Sequence, residues 1–161
     1  MLLSGFGSHR QRTWEFLEQH GVASHRVEFV ESRPRKAYLE LYHRLDIGLD
    51  TFPYNGHTTS LDALWMGVPV VSLAEQSRVS RGGLSILSNL DLRELVAQSE
   101  DEYVEIAASL AYDLPRLAEL RKTLRGRMEA SVLMDAPRFA RSIEAAYRVM
   151  WRRWCMERGN P

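Results

Sequence analysis

Short apolar runs alternate with amphipathic segments through the first half of the chain. Alternating or continuous apolar positions predict strands, at residues 26–30, 46–50 and 68–73. Apolar positions at helical spacing predict helices between them, at about residues 11–20, 36–44 and 59–66. Strands that alternate with helices are typical of a parallel sheet with helices on both faces. The sequence therefore predicts an α/β fold.

The second half of the chain has mostly helical patterns. They predict a short helix at 84–87, a short element at 94–97 and longer helices at 101–112, 115–128 and from 137 onward. Apolar residues of the last helix recur in steps of three and four, at Phe139, Ile143, Tyr147, Met150 and Trp154. We expect two parts: a lobe over 1–130, incomplete at its N-terminus because the chain opens abruptly, and a C-terminal helix over 131–161.

Composition narrows the class of protein. The chain has 161 residues, of which 45% are hydrophobic and 26% charged, as in an ordinary globular domain. Lys plus Arg and Asp plus Glu both number 21, and this balance argues against nucleic-acid or membrane partners. The single cysteine, Cys155, cannot form an internal disulfide, which favours a cytoplasmic location. No apolar run approaches the roughly 20 residues that a membrane span needs.

Candidate chemistry lies in the stretch YNGHTTSLDALWMGVPVV, residues 54–71. It follows a predicted strand, and parallel sheets bind ligands beyond the carboxyl ends of their strands. One interpretation is a helix start only, in which Thr58 or Thr59 caps the helix. The other is an anion site, in which Gly56 allows close backbone approach and His57 and the threonines add donors. Asp62, four residues after Thr58, can face the same ligand.

The segment DIGLDTFPYNGHTTSLDALWMGVPVVSL resembles the donor-binding segment of the O-linked N-acetylglucosamine transferases, glycosyltransferase family 41. RVEFV, SRGGLSIL, ELVA and FARSIEAAYRVMWRRWC extend the resemblance from about residue 22 to 155. This resemblance implies that residues 1–130 are a Rossmann-like, nucleotide-sugar-binding lobe, the second lobe of a two-lobe (GT-B) glycosyltransferase of bacterial type. UDP-GlcNAc is then the donor substrate, a protein Ser or Thr hydroxyl is the acceptor, and no metal or other cofactor is required.

The resemblance also implies roles for particular residues. The donor diphosphate is expected at Gly56, His57, Thr58 and Thr59, and the ribose at Asp62. Uracil and ribose are expected to border Arg33, Arg35 and Tyr38, although Tyr38 fits the helix core equally well. Arg81 meets a phosphate or a carboxylate, and we favour the carboxylate.

No residue of the chain is a candidate general base, because the family's first lobe supplies the proposed one. We therefore expect no catalytic residue here and no turnover by the isolated chain. Two alternatives stay open. One is a non-catalytic fragment or a module that needs the missing lobe or a partner chain. The other is a related transferase with a different nucleotide sugar, such as GDP-fucose.

Overall fold

The computed structural model describes residues 2–4 and 9–158. The chain forms two compact units, residues 1–46 and 47–161. In the first unit, β1 (Leu2–Ser4) pairs in parallel with β2 (Glu28–Val30). Its helices are α1 (His9–Gln19) and α2 (Arg35–Glu40), and 3₁₀ turns lie at Ser24–Arg26 and Leu41–Arg44. The helix predicted over 36–44 is thus an α-helix that tightens into a 3₁₀ turn.

The second unit alternates strands and helices before it becomes wholly helical. The strands are β3 (Gly48–Leu49), β4 (Val70–Leu73) and β5 (Val96–Ala97). The helices are α3 (Thr58–Trp65), α4 (Gly82–Ser88), α5 (Glu100–Tyr112), α6 (Leu114–Ala130) and α7 (Ala136–Arg158). The strands lie in the order β3-β4-β5, and both pairings are parallel. The predicted α/β class is confirmed.

Strand β4 lies at the centre of this sheet and is covered on both faces. Its four residues are all buried, and successive side chains of a strand point to opposite faces. Helices α3, α4 and α5 all contact β4, and α6 packs against α3 and α5. Fully buried leucines fill the core, among them Leu64, Leu87, Leu95, Leu110 and Leu124. The carboxyl edge of the sheet is therefore held by a packed core.

Local signals explain where two of the long helices begin. Ser99 accepts a hydrogen bond from the Glu102 amide at the start of α5, at 3.2 Å. Asp113 accepts one from the Arg116 amide at the start of α6, at 3.0 Å. Pro115 lies in the first turn of α6, as its missing N–H predicts. These caps satisfy donors that a helix start leaves without an intrahelical partner.

Helix α7 has 23 residues, and none of them is buried. Phe139, Tyr147 and Trp154 of the predicted stripe are 66%, 64% and 45% exposed. The apolar stripe of α7 is thus exposed to solvent in the described chain. The division at residue 130, between a lobe and this helix, stays a prediction.

Several predicted boundaries were wrong. The strands predicted over 26–30 and 68–73 begin two residues later, at Glu28 and Val70. The strand predicted over 46–50 is paired only at Gly48–Leu49. The polar loop predicted up to residue 83 ends earlier, because a 3₁₀ turn covers Val79–Arg81 and α4 begins at Gly82. Within the described residues, no helix combines the length and the apolar character that crossing a membrane requires.

Candidate functional site

The candidate site surrounds the loop that joins β3 to α3, at the carboxyl edge of the sheet. Asp50 directly follows β3 and is only 7% exposed. Its Oδ1 accepts a hydrogen bond from the Gly56 amide at 2.7 Å, and its Oδ2 accepts one from the Ser72 hydroxyl at 2.8 Å. Ser72 belongs to β4. The carboxylate therefore ties the far end of the loop to the central strand.

Burial raises the pKa of the Asp50 carboxyl above its usual value, because removal from water disfavours the charged form. Hydrogen bonds from the Gly56 amide, the Ser72 hydroxyl and the Thr51 amide act in the opposite direction, as does the nearby His57. Both carboxylate oxygens of Asp50 thus face hydrogen-bond donors of the protein.

Asn55 is a second buried link between the loop and its neighbours. It is 0% exposed, and its Nδ2 donates to the carbonyl of Thr51 at 3.0 Å. Its Oδ1 accepts a hydrogen bond from the Gly83 amide at 3.2 Å. Its backbone amide donates to the Val79 carbonyl at 3.0 Å. The start of α4 is therefore held against the same loop.

His57, Thr58 and Thr59 are all exposed at the N-terminus of α3. The helix begins at Thr58, so His57 is its N-cap residue, and the His57 side chain makes no capping hydrogen bond. The expectation that a threonine is the N-cap was wrong, because Thr58 and Thr59 already belong to the first turn of the helix. The Gly56 amide is used by Asp50. What faces outward is the imidazole, the two threonines and the helix start.

Two adjacent glycines let α4 approach the loop and the sheet. A Cβ at Gly82 would lie 2.7 Å from Nε2 of His57. A Cβ at Gly83 would lie 1.9 Å from the Ser72 hydroxyl and 2.9 Å from Oδ2 of Asp50. The clash at Gly82 is with the exposed ring of His57, whereas the clash at Gly83 is with the buried Ser72 of β4. Gly82 therefore leaves room for the imidazole, and Gly83 leaves room for the scaffold beneath it.

Asp62 lies one turn inside α3 and is 8% exposed. Its predicted role on a ribose stays a prediction. Arg33, Arg35 and Tyr38 belong to the other unit, residues 1–46.

Tyr38 is half-buried, and its hydroxyl shares a hydrogen bond with the hydroxyl of Tyr42. The Arg35 guanidinium lies 5.6 Å from the centre of the Tyr38 ring, within the range of a cation–π interaction. Arg33 is exposed. Tyr38 thus packs against the 3₁₀ turn that follows α2 and also lies next to a cation. Its predicted contact with a base stays a prediction.

The guanidinium of Arg81 donates to the backbone carbonyl of Glu75 at 3.1 Å. The partner is therefore neither of the two that the sequence suggested. Among the described residues, no group of three or more His, Cys, Asp and Glu side chains is arranged to hold a metal ion.

The residues that build the scaffold were not singled out from the sequence. Asp50, Asn55, Ser72 and Tyr103 all contribute, and Tyr103 donates its hydroxyl to the Asp50 carbonyl at 2.8 Å. A usable signal existed for Asp50, because it directly follows an apolar strand, and for Asn55, because it lies in the Pro/Asn/Gly loop after that strand. Ser72 and Tyr103 carried none, since their partners are distant in sequence.

Comparison with known proteins identifies the family. The model of glycosyl transferase family 41 matches residues 5–143. The chain is 43% identical, over 152 residues, to the probable UDP-N-acetylglucosamine–peptide N-acetylglucosaminyltransferase SPINDLY of Petunia hybrida. It is 33% identical, over 147 residues, to the UDP-N-acetylglucosamine–peptide N-acetylglucosaminyltransferase of Caenorhabditis elegans. These matches cover 94% and 91% of this chain but 16% and 13% of the two relatives.

A solved structure gives the same result. The chain resembles a mutant of the Thermobaculum terrenum O-GlcNAc transferase with a TM-score of 0.85 and 43% identity. The match covers 91% of this chain and 28% of the bacterial one. The resemblance inferred from the residues is confirmed: this chain belongs to glycosyl transferase family 41.

Proposed function

We propose that residues 47–161 hold the diphosphate of a nucleotide-sugar donor at the start of α3. The observation that supports this most strongly is the exposed group His57, Thr58 and Thr59 above a buried, hydrogen-bonded scaffold. A helix start presents N–H groups and the positive end of the helix dipole, both of which favour an anion. The imidazole and the threonine hydroxyls add donors beside them.

The donor that we propose is UDP-GlcNAc, and the acceptor is a Ser or Thr hydroxyl of a protein. The printed names of the plant and nematode relatives support this choice, since both describe UDP-N-acetylglucosamine–peptide transferases. In the whole enzyme the acceptor oxygen bonds to the anomeric carbon while the bond from that carbon to the diphosphate breaks. The acceptor proton passes to a base that we place outside this chain.

The site described here would act on the leaving group. Negative charge grows on the diphosphate as the bond to the sugar breaks, and donors already fixed in place stabilise it without reorganising. Because no general base is proposed in this chain, we expect donor binding without turnover. We also propose a cytoplasmic location, which the lone, exposed thiol of Cys155 supports.

Calorimetric titration of the chain with UDP and with UDP-GlcNAc tests the proposal. We expect H57A to weaken UDP binding about tenfold or more, since a hydrogen bond to a charged group is worth about 1.5–3 kcal/mol. The matched control is H25A, which removes another exposed imidazole outside the proposed site. A wild-type chain that binds neither ligand at millimolar concentration would refute the proposal, as would H57A binding with wild-type affinity.

Inorganic pyrophosphate separates the diphosphate contacts from the ribose contact. We expect D62N to weaken binding of UDP but not of pyrophosphate. An equal effect on both ligands would remove the ribose role of Asp62. A parallel titration with GDP tests the alternative donor, because tighter binding of GDP than of UDP would favour a GDP-sugar.

A further inference from the structure

Asp50 is held by its backbone independently of the loop that it binds. Its amide donates to the Val71 carbonyl in β4 at 2.9 Å. Its carbonyl accepts the hydroxyl proton of Tyr103, from α5, at 2.8 Å. Both partners belong to packed elements rather than to the loop 51–57. The position of the Asp50 carboxylate is therefore set by the sheet and by α5.

The side chain of Asp50 then determines where the loop ends. Its bond to the Gly56 amide, at 2.7 Å, is charge-assisted and nearly excluded from solvent. The Ser72 hydroxyl holds the other carboxylate oxygen at 2.8 Å, which fixes the orientation of the group. Gly56 is followed at once by His57, the N-cap residue of α3. A displacement of Gly56 would therefore move both the imidazole and the entry into the helix.

We propose that Asp50 is the positioning residue of the donor-diphosphate site, and that it acts by holding the Gly56 amide so that His57 and the first turn of α3 face one anion. This role rests on the function proposed above. Asp50 does not touch the ligand, since its carboxylate is buried and both oxygens accept hydrogen bonds from the protein. A carboxylate that faced the diphosphate would repel it. The Asp50 carboxylate faces the protein interior instead, where it holds the Gly56 amide.

Three variants separate positioning from folding. D50A removes the acceptor for the Gly56 amide, and we expect it to weaken UDP binding about tenfold, as loss of the His57 contact would. D50N keeps an Oδ1 that can accept from the same amide, and we expect its UDP affinity to lie within about threefold of the wild type. L124A destabilises a core residue of α6 far along the chain, and we expect its folded form to bind UDP normally.

A double-mutant cycle tests whether Asp50 acts through His57. We expect D50A to weaken UDP binding much less in the H57A background than in the wild type, because the group that it positions is already gone. Fully additive losses would overturn the proposal. So would D50A with wild-type affinity, D50N as weak as D50A, or L124A as weak as D50A.

Hydrogen exchange of the Gly56 amide, measured by NMR, covers the case in which D50A does not fold. We expect this amide to exchange slowly in the wild type and faster in D50N, whose acceptor is neutral. Exchange in the wild type at the rate of an unstructured peptide would overturn the proposal. If the wild-type chain binds neither UDP nor UDP-GlcNAc, both the proposed function and this role of Asp50 are overturned. If the wild type binds UDP and D50A binds it equally well, only the role of Asp50 is overturned.

Discussion

Tyr103 offers a test of the scaffold that requires no ligand. The residue lies in α5, and its hydroxyl donates to the Asp50 carbonyl at 2.8 Å. Its ring meets the ring of Phe52 edge-on, with centres 5.6 Å apart. Y103F removes the hydroxyl and leaves the ring contact in place. The variant therefore isolates one hydrogen bond and one titratable group.

The magnitude follows from the surroundings of the hydroxyl. Burial, and then the charge of Asp50, raise the pKa of Tyr103 from 10.0 to about 12. At pH 8 Tyr103 is protonated in both the folded and unfolded states, and Y103F loses only the hydrogen bond, worth about 1 kcal/mol of unfolding free energy. Above pH 10 the unfolded wild type loses the Tyr103 proton first. This lowers wild-type stability by about 1.4 kcal/mol per pH unit until pH 12.

The two stabilities are therefore expected to converge and cross. Y103F begins about 1 kcal/mol less stable, and roughly one pH unit above 10 removes that difference. Urea unfolding of both proteins at several pH values between 8 and 11 measures it. Y112F, which changes a side chain that is 90% exposed, controls for the loss of a tyrosine. A wild-type advantage over Y103F that does not change with pH would refute the reasoning.

Glycines supply the remaining predictions. We expect G82A to fold with near-wild-type stability, because its new Cβ would meet only the exposed ring of His57. We also expect G82A to shift the NMR resonances of the His57 imidazole and to weaken UDP binding. Unchanged resonances would contradict this contact between α4 and His57. We expect G67A to destabilise the protein by about 2 kcal/mol or more in urea unfolding, since Gly67 has a φ of +82° and a Cβ would lie 2.8 Å from the Arg121 carbonyl. The matched control is G126A in α6, where an added Cβ would have no atom within 4 Å. We expect G126A to raise the free energy of unfolding by about 0.5–1 kcal/mol, because Ala favours a helix interior over Gly. An equal loss of stability in both variants would contradict this account.

The elements with long, regular periodicity were predictable from the sequence. The helices expected over 101–112 and 115–128 lie at Glu100–Tyr112 and Leu114–Ala130. Both have start signals that act within three residues, Ser99 and Asp113. The strands were less accurate, because a two-residue strand such as Gly48–Leu49 is defined by its pairing with β4 and not by its own pattern.

The sequence prediction named the exposed residues of the candidate site, but Asp62 alone among its buried side chains. Its exposed residues are contiguous in the sequence, from His57 to Thr59, so a motif can reveal them. The buried half joins Asp50 to Ser72 and Tyr103, which are 22 and 53 residues away. No local pattern encodes those pairings. The same holds for Gly82, whose place beside His57 depends on how α4 packs.

The sequence by itself determined the α/β class, the order of the elements, the family and the position of the helix start for which we propose anion binding. These depend on periodicity, on capping and on contiguous motifs, all of which are local. Only the tertiary structure decided that the Gly56 amide is bound to Asp50, that His57 rather than a threonine is the N-cap residue, and that Asp62 is buried. Those outcomes depend on which groups meet after the chain folds, because burial and long-range hydrogen bonds exist only once β4, α4 and α5 enclose the loop.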